Sequence, residues 1–166
     1  MKPIVPPGFK TAGLCDAHSA NLQVAIPLLA NFGAVTAFQG EISTVQRFED
    51  NSLVRDALET AGGGRVLVVD GYGSLRCALI GDQLAALAAR NGWAGIIVHG
   101  CVRDSETLAK TRIGIRALAR HPRKSIKEGT GQRNVRVRFA DVTFLPGEYL
   151  YADRDGIVIS SKPLLD

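Results

Sequence analysis

Cysteine is scarce in this chain: Cys15, Cys77 and Cys101 stand far apart and are odd in number. That leaves no disulfide framework and no CxxC zinc pattern, and it fits a reducing compartment, so a cytoplasmic protein is expected. No apolar run is long enough to span a bilayer. The opening Met1-Lys2-Pro3-Ile4-Val5-Pro6-Pro7 has no apolar centre of a secretory leader, so no membrane association is expected. His18, His99 and His121 have no metal-ligand spacing. Aromatic residues are absent where charge is densest: between Arg103 and Arg138, eleven Lys or Arg face only Asp104, Glu106 and Glu128, with no Phe, Tyr or Trp among them. Without a platform on which bases could stack, direct nucleic-acid binding is not expected, and the stretch reads as a solvated basic surface.

What the chain does have is enough apolar material for one core. At 166 residues, 46% apolar and 22% charged, it suits one domain spanning 1–166. Residues 1–13 hold three prolines and read as an extended arm. A short helix is expected near Ala17–Gln23, and two strands, Val35–Gln39 and Ile42–Arg47, around Gly40. Asn51–Thr60 spaces Leu53, Val54, Ala57 and Leu58 on one helical face, and Gly62-Gly63-Gly64 stops it. Arg65–Asp70 and Ala94–His99 are near-continuous apolar runs, as expected of strands buried on both faces. Between them come a turn at Gly71–Ser74, a strand over Leu75–Ile80, and a helix over Asp82–Asn91 with Asp82 as its N-cap. A short helix is expected over Asp104–Lys110. Ile113–Ala119, Val135–Phe139 and Val142–Leu145 follow as strands, then a hairpin joining Tyr149–Ala152 to Ile157–Ser160. The class is α/β, with a βαβ centre.

Two junctions carry the chemistry. Gly81-Asp82-Gln83-Leu84 opens a helix, where unpaired amides and the positive end of the dipole attract carboxylates. Gly100-Cys101-Val102-Arg103-Asp104 follows a buried strand, in the region where α/β sheets gather functional groups. Arg103 offers a bidentate fork for a carboxylate, and Asp104 a hard oxygen for Mg²⁺ or Mn²⁺. Taken singly, Asp82 and Asp104 read as helix caps and Arg103 as a surface charge. If the two strands are neighbours, the junctions meet, and an amide nest, an arginine and a metal-holding aspartate converge on a site suited to a pyruvyl group. Cys101 has no histidine partner to make it a nucleophile. His99 reads as a core histidine, Trp93 as core or interface, and Glu41 as a weak candidate for a proton shuttle reaching a neighbouring subunit.

Asp82, twenty further residues and then Arg103-Asp104, combined with Gly-Asp-x-Leu at 81–84, resemble the 4-hydroxy-4-methyl-2-oxoglutarate aldolase family. That family shares its fold with the regulator of ribonuclease activity A proteins. The resemblance covers nearly the whole chain, including Phe32-Gly33, Arg47–Asn51, Arg65–Gly71, Asn91–Gly95, Gly114-Ile115 and Tyr151–Ile157. It implies a single-domain β/β/α swivelling-domain sandwich of the phosphohistidine-domain type, assembled as a homotrimer. It further implies that Gly81, Asp82, Gln83, Leu84 and Arg103 bind substrate, that Asp104 anchors a divalent cation (Mg²⁺ or Mn²⁺), and that Asp82 positions a water that protonates an enolate. The implied activity is metal-dependent cleavage of 4-hydroxy-4-methyl-2-oxoglutarate to two pyruvates, with oxaloacetate decarboxylation as a secondary reaction. The alternative is a non-catalytic regulator that binds and inhibits ribonuclease E.

Overall fold

A computed structural model describes residues 8–165. Along the chain run α1 (Thr11–His18), β1 (Leu22–Val24), β2 (Ala30–Asn31), β3 (Phe38–Gln46), α2 (Ser52–Leu58), β4 (Val66–Asp70), β5 (Ala78–Ile80), α3 (Asp82–Arg90), β6 (Gly95–Val102), α4 (Ser105–Leu108) and β7 (Gly114–Arg120). The short strands β8 (Gln132–Arg133), β9 (Val137–Phe139) and β10 (Val142–Phe144) precede the hairpin β11 (Tyr149–Ala152) and β12 (Ile157–Ser160).

The sheet runs β1-β12-β11-β3-β4-β6-β7-β2, with β5 beside β6. Strand β3 belongs to two halves. Phe38 to Glu41 pair antiparallel with β11, whereas Ile42 to Gln46 pair in parallel with β4. Alternation along the central strands then sets the layers. Leu67, Val69, Ile96 and Val98 face one core with Val54, Leu58, Leu84 and Ala88 of the helices. Val66, Val68 and Ile97 face the other core, which they share with Leu150, Ile157 and Ile159 of the hairpin and Phe139 and Phe144 of β9 and β10. The hairpin's outer face, Tyr151 and Val158, is covered by Phe9 and by Leu14 of α1. The expected β/β/α layering results, and the central runs are apolar throughout because they serve both cores.

Some boundaries differ from expectation for physical reasons. Gly40 does not separate two strands. It lies inside β3, where a side chain would collide with the Gly64 carbonyl, so the glycine permits a close approach of backbones rather than a break. The first helix lies at Thr11–His18, upstream of the expected 17–23, because its anchor is distant in sequence. The amide and hydroxyl of Thr11 both donate to Asp153, 142 positions away. The arm expected over 1–13 lies outside the described residues as far as Pro7, and α1 begins at Thr11. Strand β5 is shorter than Leu75–Ile80 because Leu75 is exposed and Arg76 turns outward to pair with Glu49 at 2.6 Å. Strand β6 continues past His99 to Val102, which brings it directly to Arg103.

Phe38 ties the halves together. Its ring fills the space left by Gly95 on β6 and Gly114 on β7, where a Cβ at either position would collide with it. Phe38→Ala should therefore cost about 3–5 kcal/mol. Gly114→Val should cost on the order of 1–3 kcal/mol or more through overpacking. Urea denaturation checks both, as a lower midpoint at an unchanged m-value.

Candidate functional site

The two junctions meet because β5 and β6 are parallel neighbours, pairing Ala78 with Cys101 and Ile80 with Val102. The pairing extends one residue further, with the Arg103 amide donating to the Ile80 carbonyl at 2.9 Å. Asp104 then takes a left-handed conformation (φ 57°, ψ 40°), which aspartate tolerates better than most residues. The turn directs its carboxylate away from its own helix. Instead of capping α4, Asp104 accepts a 3.0 Å hydrogen bond from the Asp82 amide at the start of α3. The expected N-cap assignment also shifts by one residue: Gly81 is the N-cap, and Asp82 sits in the first turn, where its Oδ1 accepts from the Gln83 amide at 2.8 Å. A Cβ on residue 81 would stand 2.7 Å from Asp104 Oδ2, so glycine is what lets the junctions close. Arg103 Nε lies 4.0 Å from the same oxygen.

Gly81, Asp82, Gln83, Leu84 and Arg103 all line one small cavity of about 110 Å³. Leu84 otherwise faces the core, whereas Asp82, Gln83 and Asp104 are exposed. Sequence reasoning missed the rest of the lining: Asn51 before α2, Arg55 within it, and Lys124, Ser125 and Lys127 from the segment after β7. This segment lacks regular structure but is held in place. The Ala78 amide donates to the Arg123 carbonyl at 2.7 Å, and the Ile126 amide to the Glu49 carbonyl at 3.1 Å. Buried Asp50 accepts from the Ser52 hydroxyl and amide and, across the gap, from the Glu128 amide at 2.8 Å. Burial pushes the Asp50 carboxyl up, but these hydrogen bonds outweigh it and hold the group below the usual carboxylate range. The available signal was the basic run itself, whose members part company in three dimensions. Arg116 is buried and donates to the Thr36 and Asp153 carbonyls, while Lys124 and Lys127 turn to the cavity.

The other candidates stand apart. His99 Nδ1 lies 3.2 Å from Asp70 Oδ1, and its ring stacks on Phe139, as suits a core histidine. Cys101 is buried, which pushes its thiol up, away from nucleophilic use. Trp93 is core, its Nε1 donating to the Thr60 carbonyl. Glu41 precedes the residues of β3 that pair with the start of β4, at the opposite end of the parallel strands from Arg103. It could meet such a site only across a boundary between copies.

As a metal centre, the site has few donors. Among the described residues no three His, Cys, Asp or Glu side chains gather, so the ligand set of a tetrahedral zinc centre is missing. A hard cation that keeps much of its water and takes one or two carboxylates matches Asp104 and Asp82. No described helix is long and apolar enough to cross a membrane.

Comparison with known proteins gives three consistent likenesses. A family profile described as "RraA-like: Aldolase/RraA" matches residues 11–159. A Laribacter hongkongensis protein named "Putative 4-hydroxy-4-methyl-2-oxoglutarate aldolase" is 57% identical, the match covering 95% of this chain and 99% of that one. Among solved structures, the RNA-processing inhibitor RraA from Thermus superposes with a TM-score of 0.92 at 43% identity, covering 96% of both chains. A Geobacillus kaustophilus structure described as an S-adenosylmethionine:2-dimethylmenaquinone methyltransferase reaches 0.92 at 50% identity, covering 94% of this chain and 97% of that one.

Asp50 supplies a test of how the cavity wall is held. Because its pKa is lowered on folding, its contribution is complete above the ordinary carboxylate range and is lost as pH falls through its folded value. Asp50→Asn should lower stability at neutral pH by about 1–3 kcal/mol, and this deficit should shrink in acid. Denaturation midpoints measured from neutral pH down to about 3 read both effects.

Proposed function

Because this chain belongs to the RraA-like Aldolase/RraA family, we propose that it is a divalent-metal-dependent lyase cleaving 4-hydroxy-4-methyl-2-oxoglutarate into two pyruvates. Oxaloacetate decarboxylation, which leaves the same pyruvate enolate, is proposed as its second reaction. The observation that carries the reading is the Asp82–Asp104 hydrogen bond beside Arg103, at the mouth of a small cationic cavity. A cavity of about 110 Å³ has room for several waters, and hence for a small organic acid.

In this mechanism the protein positions the substrate and manages charge. The start of helix α3, over Gly81 to Leu84, turns its positive end toward the carboxylate of the pyruvyl group. Arg103 closes on that carboxylate from the β6 side. Asp104 is the residue that would hold Mg²⁺ or Mn²⁺, with water completing much of the shell. When bound, the cation supplies Lewis-acid polarisation of the keto oxygen and eases build-up of negative charge there. Asp82, at the helix start, orients the water whose proton goes to the enolate carbon after the C–C bond breaks. Helix α3 aims its positive end at the developing charge, which lowers the barrier without the imine that a lysine route requires.

A second reading, inhibition of ribonuclease E by direct binding, draws support from the likeness to the Thermus RNA-processing inhibitor. It would use the outer surface and leave the cavity free. The proposed assembly is a homotrimer. The exposed Phe48 and Tyr72, edge-to-face at 6.3 Å beside the carboxyl ends of β3 and β4, support an interface there.

The decisive assay is pyruvate release from 4-hydroxy-4-methyl-2-oxoglutarate and from oxaloacetate. Turnover is expected with Mg²⁺ and should vanish with a chelator. Asp104→Ala should abolish it without unfolding the protein, and full activity in that variant would refute the metal assignment. Arg103→Lys should lower kcat/KM by about tenfold to a hundredfold, the loss of one charge-assisted bidentate contact. Purified ribonuclease E titrated with the protein tests the second reading, and light scattering tests the trimer.

A further inference from the structure

Arg116 lies in the middle of β7, opposite Ile97 of β6, and is only 5% exposed. A guanidinium so deeply placed is normally paired with a carboxylate, yet among the described residues it forms no ion pair. Asp153 attracts it only at a distance, because that carboxylate accepts from Thr11 and from the Asp155 amide. Burial outweighs this attraction and holds the guanidinium below its usual range. The Phe38 ring, 5.8 Å away, is a weak partner for a full charge. Arg116 Nη2 donates to the Thr36 and Asp153 carbonyls at 2.6 and 2.8 Å, and its Nε is sealed without a partner. Its Nη1 differs from both: it has no hydrogen-bond partner among the described residues, and it is not sealed. A buried cation with an open donor and no counter-ion calls for an anion.

Arg116 lines a cleft of about 330 Å³ whose other walls are mainly apolar, with Val24, Ala25, Ile26, Leu29 and Ile157. At its rim the exposed Arg154 and Asp155 carry opposite charges that offset one another. The apolar wall is fixed before any ligand arrives: the Ala25 amide donates to the Ile157 carbonyl and the Ile26 amide to the Ala140 carbonyl, both at 3.0 Å. Ala25 and Leu29 pack on the core beneath the hairpin, whereas Val24 and Ile26 remain exposed. We propose that this cleft binds an aliphatic monocarboxylate, with the carboxylate on Arg116 Nη1 and the chain laid along Ile26, Leu29 and Ile157. A second carboxylate or a keto group on the ligand would face this apolar wall without a partner, so the cleft favours a plain hydrocarbon chain. It shares no lining residue with the cavity beside Arg103, and the inference stands apart from the pyruvyl reading.

Calorimetric titration with hexanoate and with hexanamide, its uncharged counterpart, tests this. Hexanoate should bind at least about tenfold more tightly, the effect of one charge-assisted contact. It should exceed acetate by at least about tenfold as well, since acetate lacks the chain that meets the apolar wall. Arg116→Met should erase the preference for hexanoate over hexanamide. Because that change also frees the Thr36 and Asp153 carbonyls, a second variant leaves Arg116 in place. Gly156 lines the cleft, and a Cβ there would meet nothing within 4 Å. Gly156→Leu should therefore fill the cleft with little change in Tm and weaken hexanoate binding by about tenfold or more. Arg103→Ala should bind hexanoate as the unaltered protein does. No binding, equal affinity for hexanoate and hexanamide, or full binding by Gly156→Leu overturns the proposal. Loss of binding in Arg103→Ala also overturns it, because the acid would then sit in the other cavity. Light scattering tests the remaining occupant. If Ile26→Asp splits the protein into smaller species, a second copy covers the cleft and the proposal falls.

Discussion

One hydrogen bond organises this site: the Asp82 amide donating to Asp104 Oδ2 at 3.0 Å. It joins the start of one helix to the turn before another, across residues 22 positions apart. Three neighbours make it possible. The β5–β6 pairing brings the chain segments together, the bare Cα of Gly81 leaves room for the carboxylate, and the left-handed turn at Asp104 points that carboxylate across the gap rather than back along its own helix. Remove any one and the arginine and the two aspartates cease to share a volume. The site is therefore a property of strand order as much as of residue type.

How much of this was legible beforehand depended on where the determining contact lay in the sequence. The central strands were legible because burial on both faces leaves an unbroken apolar run, as in Val66–Val69 and Ile96–Val98. Gly81, Asp82, Arg103 and Asp104 were legible as a pair of junctions, since each follows a strand and opens a helix. The cap assignments were not legible. An aspartate before a helix usually serves that helix, and only the three-dimensional neighbourhood shows Asp104 serving α3 instead. Gly40 reads as a break for a similar reason: its need for space comes from Gly64, in the turn that leads into β4. The helix at Thr11–His18 was invisible because its anchor is Asp153, at the other end of the chain.

The far wall of the cavity was legible only as charge. Eleven cations over Arg103–Arg138 are one feature in the sequence, but they are at least two in the fold. Arg116 is buried and satisfies carbonyls, while Lys124 and Lys127 face the cavity with Ser125 between them. Composition cannot separate a buried, structural cation from one that lines this cavity. Burial and hydrogen-bond partners can, and here they do so within a stretch of a dozen or so residues.

The contrast between the two walls has an evolutionary side. The wall at α3 is made by strand pairing and helix geometry, with Leu84, Ala85 and Ala88 buried in the core behind it. The wall at 121–131 is an irregular segment fastened mainly through main-chain groups and a single buried carboxylate. Lys124 and Lys127 can be exchanged without repacking anything, because both project from backbone that is already tied down. A lineage carrying this fold can thus rewrite a few letters in the 121–131 stretch while the strand-built wall is inherited intact.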